Sequence, residues 1–184
     1  MSSTYGESVA GLAAGGRPGQ TGVFNEHEVR AATGVTLALG AFAFVHAYFA
    51  KEYAPIKIVT ALFFVEFALR VTAGSHRSPI GRLAKLLTRR RPPHWVSAQP
   101  KRFAWSLGLA LSLAMTVITN LNVRGALPLT ICLACMALMW LEAVSGLCIG
   151  CEIYGRLIRR GWIAQGAANA LCSDGSCDTR DERT

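Results

Sequence analysis

The chain has 184 residues, of which 52% are hydrophobic and 16% charged, with a formal net charge of +8. Soluble domains of this size carry about a quarter charged residues, so this composition argues against a soluble enzyme, and its apolar content excludes a disordered chain. The basic excess does not by itself indicate nucleic acid, because that reading needs a basic face on a polar body.

The apolar residues fall in four runs. The first is 31–50, the second 56–74, the third 103–121 and the fourth 127–150. Each is roughly 20 residues, the length that crosses a hydrocarbon core of about 30 Å. The second run carries Lys57, Glu66 and Arg70 and is the most polar of the four. The expected fold is therefore all-α: an integral membrane four-helix bundle at 25–162, between an N-terminal tail (1–24) rich in glycine and a C-terminal tail (163–184). Residues 1–22 lack the basic and apolar regions of a signal peptide.

Charge sets the expected orientation. Arg77, Arg82, Lys85, Arg89, Arg90, Arg91, Lys101 and Arg102 lie between the second and third runs, and Arg156, Arg159 and Arg160 follow the fourth. By the positive-inside rule the central loop and both termini are cytoplasmic, in a plasma-membrane protein of four spans. Within that loop Ile80, Leu83, Leu86 and Leu87 recur at helical spacing among the cations, before Pro92 and Pro93. This predicts a short amphipathic helix on the anionic inner-leaflet lipids, not a nucleic-acid surface.

Ionisable residues inside a bilayer are costly and ordinarily face the bundle interior in pairs. Glu66 and Arg70 share a helix face, and Glu142 sits at a similar depth in the fourth run, eight residues before Gly150 as Glu66 is before Gly74. A Glu66, Arg70 and Glu142 cluster is expected, serving either as a polar site or proton relay, or as an interhelical pair that fixes packing. His46 reads as an interfacial packing residue.

Six cysteines form three pairs. Cys132 and Cys135 lie among apolar residues and read as packing. Cys148 and Cys151 form a Cys-x-x-Cys at the end of the fourth run, flanked by Gly146 and Gly150, with Lys101, Arg102 and Arg156 expected at the same level. Two thiols at this spacing can close one ring, and nearby cations favour the thiolate. Thiol–disulfide exchange, persulfide transfer and metal capture stay open for them, as does a reduced structural pair. Cys172 and Cys177 could return to that pair to resolve a disulfide or bind zinc, or they could be incidental to a solvated tail; no metal site and no cofactor is predicted.

Several segments resemble one bacterial family. They are Val29-Arg30, Glu66-Phe67-Ala68-Leu69-Arg70, Ser78-Pro79, Pro100-Lys101-Arg102-Phe103-Ala104, and Leu141-Glu142 followed by Gly146-Leu147-Cys148-Ile149-Gly150-Cys151-Glu152-Ile153-Tyr154. In this order they are similar to the small membrane proteins of the domain of unknown function 4395, over about Asn25 to Leu157. The resemblance implies no established activity. It implies that Glu66, Arg70, Lys101, Arg102, Glu142, Cys148 and Cys151 are the positions to test, and that a thioredoxin-like or sulfur-metabolism protein is a partner. Thiol redox or sulfur handling at the cytoplasmic membrane face is the function expected first. A small permease or accessory subunit for a sulfur species or anion, and a non-catalytic scaffold, are the alternatives. Quinone-coupled four-helix thiol oxidoreductases share the architecture, but they need cysteines in the outer loops, and the outer loops of this chain have none.

Overall fold

In the computed structural model, residues 22–162 are described, together with two short strands, β1 (Ala13–Ala14) and β2 (Arg17–Pro18), that pair antiparallel. The expectations for Cys172 and Cys177 and for the C-terminal tail fall outside the described residues, as does most of the N-terminal tail.

The described chain is built of helices. Strand β3 (Val23–Asn25) leads into α1 (Glu26–Val45), which continues through a wide π-type turn to Ala50. Helix α1 starts five residues before the apolar run, because the Asn25 side chain accepts a hydrogen bond from the His27 N–H and caps it. Glu26 and Glu28 in its first turn suit the positive end of the helix dipole. Lys51, at φ 56°, ends the turn.

Helix α2 (Ala54–Ala73) has Pro55 in its first turn and ends at Gly74, where φ is 87°. The expected amphipathic helix is α3 (Pro79–Thr88). Ser78 caps it by accepting from the Gly81 N–H, and Pro79 occupies the first helical position, where its missing N–H costs nothing. Half of its apolar side is used within the protein: Ile80 and Ala84 pack on Ala32, with Ala31, Val35 and Leu39 alongside. Leu83, Leu86 and Leu87 stay exposed.

Strand β4 (Trp95–Ser97) then pairs antiparallel with β3, in the register Val23 with Ser97 and Asn25 with Trp95. The hydropathy pattern does not announce this staple. It joins the segment before α1 to the segment before α4 (Ala98–Asn120), which also begins five residues ahead of its apolar run. Phe24, Val29, Val96, Ala98 and Trp105 form a small core beneath it. A second core lies toward the other end of the bundle, with Ala43, Ala47, Ile56, Val59, Phe63 and Met115.

The fourth apolar run is not one helix. Helix α5 (Ala126–Trp140) continues as a π-type turn through Ser145 and breaks at Gly146, where φ is 74°. A separate helix, α6 (Ile149–Arg159), follows. Helix dimensions and composition mark 26–50, 98–120 and 126–145 as long and apolar enough to cross a membrane.

Candidate functional site

The break after α5 determines where the thiols sit. Gly146 adopts the left-handed conformation that ends a helix, and a Cβ there would fall 3.2 Å from Glu26 Oε1. The last carbonyls of the turn are held by α1: Arg30 donates to Ala143 O (3.2 Å) and Val144 O (2.6 Å). Arg30 carries positive charge to the end of a helix, where carbonyl oxygens gather. Sequence reasoning assigned it no role, and its place beside Val29 in the resembling segment is the signal that could have found it.

Two residues later Cys148 caps α6. Its sulfur accepts the Cys151 N–H at 3.3 Å, and the two cysteines are joined by a disulfide with Cα atoms 5.2 Å apart. The rest of the motif serves this cap. Gly150 lets α6 approach α4, since a Cβ at that position would lie 2.7 Å from the Cβ of Ala104. Tyr154, one turn on, is buried, donates to Gln99 Oε1 at 3.2 Å and packs its ring 5.4 Å from that of Phe103. Cys148, Gly150, Cys151 and Tyr154 are thus a cap, a close approach, a sulfur partner and an anchor on the first turns of α4. A sulfur released as thiolate here would face the positive end of the α6 dipole and backbone N–H groups.

The buried charges resolve into two pairs. Arg70 Nε and Nη2 both lie 2.8 Å from Glu66 Oε1, with side chains 2% and 1% exposed. The other carboxylate oxygen of Glu66 accepts the Ile80 N–H at 3.4 Å, so the pair also ties down the start of α3. The Arg70 guanidinium lies over the Phe67 and Trp105 rings, at 5.4 and 5.9 Å. Glu142, in the π-type turn, takes Lys101 as its cation: Nζ to Oε1 is 2.9 Å, and Thr33 Oγ1 lies 3.5 Å from Oε2. Lys101 is therefore engaged with a carboxylate rather than turned toward the disulfide, and Arg102 lies on the exposed side of α4. Glu142 was expected beside Glu66 and Arg70; the partners the structure gives it are Lys101 and Thr33.

Between α2, α4, α5 and α6 runs an apolar cavity of about 510 Å³. Its walls extend from Ile56 to Phe67 on α2, from Ala104 to Met115 on α4 and from Cys132 to Glu142 on α5, and its end is formed by Cys148, Ile149 and Gly150. At about 1.5 Å per residue those stretches make it roughly 15 Å long. Cys132 and Cys135, free and partly buried, line this space, and Cys132 also packs against the second core. His46 bonds to Phe42 O at 2.9 Å within its own helix, beside the Phe42 ring.

The family model described as a domain of unknown function, DUF4395, matches residues 24–159. The chain belongs to this family. No curated protein and no solved structure matches it. The matched DUF4395 region begins within β3 and ends with α6, so it contains most of the staple, both ion pairs, the disulfide and the cavity. Among the described residues no group of three or more His, Cys, Asp or Glu side chains is gathered as a metal site would require.

Proposed function

We propose that this protein is a four-span plasma-membrane protein, with both termini cytoplasmic, that carries out thiol–disulfide exchange or handles sulfur species through Cys148 and Cys151. The observation that carries the reading is the disulfide at the N-terminus of α6, set in a motif whose other members hold that helix against α4.

Helix α2 serves as the fourth span because its charges are spent internally. Glu66 and Arg70 face inward, Lys57 reaches Asn122 Oδ1 at 2.8 Å near the helix start, and Ile58, Leu62 and Val65 are exposed. Large apolar side chains left outward, such as Phe49 (73% exposed) and Ile58 (69%), suit a hydrocarbon solvent rather than water. The exposed Leu83, Leu86 and Leu87, beside Arg82, Arg89, Arg90 and Arg91, give α3 the composition of a helix resting on anionic inner-leaflet lipids.

The partner is a thioredoxin-like dithiol protein. Its thiolate attacks one sulfur of the bridge, forming a mixed disulfide and releasing the other cysteine as thiolate. Its second thiolate then displaces the remaining sulfur, so two electrons enter the cysteine pair and the partner leaves oxidised. Alkylation of intact membranes with and without reductant tests the reading. Labelling of Cys148 and Cys151 that rises after reduction, and a defect in the Cys148→Ser, Cys151→Ser double variant, are expected. Equal labelling under every redox condition, with a wild-type phenotype for the double variant, overturns it. Uptake of sulfite or thiosulfate into liposomes that survives the double substitution would favour the permease instead.

A further inference from the structure

The cavity ends on the disulfide. Cys148 lines it directly, Glu142 lines it at the same end, and the contact of Gly150 with Ala104 brings this end level with Trp105. Trp105, Phe67 and Phe63 contribute aromatic wall, and the rest is apolar apart from Thr60, Ser112 and Glu142. A volume of 510 Å³ lies within the range of about 300–1,000 Å³ that accepts small organic ligands. Helices α4 and α5 meet at few positions, because the slot lies between them.

From this geometry we propose that the slot binds a lipid-soluble quinone, with its ring against Trp105 beside Cys148 and its apolar tail along α5 toward Cys132. The inference rests on the thiol reading above and names its electron acceptor. An acyl chain would fit the apolar length equally well, but it would make no use of a disulfide and a carboxylate gathered at one end. A quinone uses both. Its oxygens accept protons near the Glu142–Lys101 pair, and its two-electron capacity matches one dithiol. In the transfer two S–H bonds of reduced Cys148 and Cys151 break and one S–S bond forms. The two electrons pass to the ring and the two protons to its oxygens, giving the quinol. The outer loops then need no cysteines, because the thiols oxidised in this way are on the side where α6 lies.

The experiment uses the full chain in detergent with decylubiquinone as probe and tryptophan fluorescence as readout. Saturable quenching is expected, at least tenfold weaker in Cys135→Phe and in Leu111→Trp, which fill the slot from opposite walls, when each is compared with its own unquenched signal. Decylbenzene, which has the tail without the quinone, should not displace the probe. The pre-reduced wild type should be reoxidised with one quinol formed per protein, and Cys148→Ser should form none. Unsaturable quenching, or equal displacement by decylbenzene, overturns the quinone site while leaving exchange with a dithiol partner intact. Saturable binding without quinol formation overturns the electron transfer. Loss of both quinol formation and dithiol exchange in a well-folded wild type overturns the thiol reading itself.

Discussion

Gly150 and Ala104 approach so closely that a methyl group on the glycine would lie 2.7 Å from the alanine Cβ and 2.8 Å from its Cα. Two helices that touch at their backbones place the disulfide over α4, and nothing larger than hydrogen fits at the crossing.

Gly150→Ala therefore pushes α6 away from α4. The obstacle is backbone and a methyl group, neither of which can rotate aside, so overpacking of about 1–3 kcal/mol is expected. The Tyr154 hydroxyl should lose Gln99, and Cys148 and Cys151 should be reduced faster by dithiothreitol than in the wild type. Unchanged reduction kinetics and an unchanged melting temperature in detergent would show that the crossing does not hold the thiols.

Replacing Glu66 by Gln removes the carboxylate facing buried Arg70 and weakens the acceptor for Ile80 N–H. Breaking a buried pair by deleting one partner costs about 3–5 kcal/mol, whereas an apolar replacement of both is far better tolerated. Thermal unfolding should thus rank Glu66→Gln below the Glu66→Leu, Arg70→Met double variant. The single variant should also open α3, raising amide hydrogen exchange across 79–88. If the single and double variants melt alike, the pair does not act as a unit.

Arg30→Gln tests the coupling of α1 to the break after α5. The guanidinium reaches two carbonyls, and charge-assisted bonds of this kind contribute about 1.5–3 kcal/mol in favourable cases. The expected result is a loosened turn at 141–146, seen as faster exchange there and as greater alkylation of Cys148 after reduction. Lys should rescue only part of the effect, because a single ammonium cannot repeat the fork that spans Ala143 O and Val144 O. Full rescue by Lys would reduce the role of Arg30 to its charge.

The apolar runs, the helix in the basic loop and the ability of Cys148 and Cys151 to close one ring were all legible in the residues, because each depends on composition or on spacing within a few turns. Membership of DUF4395 was legible too, in the order of short segments. The partner of Glu142 was not. Lys101 is 41 residues away on another helix, and which cation meets which carboxylate depends on how α1, α4 and α5 pack. Helices α1 and α4 begin ahead of their apolar runs for a related reason: the Asn25 cap and the two-strand staple extend them beyond their apolar residues. The end of the fourth run was misplaced because hydropathy averages across Gly146, whose left-handed backbone breaks the helix without changing its apolar character.

Sequence alone thus determined the apolar character of the helices, since side-chain hydropathy is a property of each residue. It determined also that two thiols could meet, since three residues' separation suffices for a ring. Only the tertiary structure decided that these thiols cap a separate helix, that a glycine and a tyrosine hold that helix on α4, and that a long apolar cavity ends beside them. Those relationships arise between residues distant along the chain, where packing of whole helices, rather than local preference, chooses the neighbours.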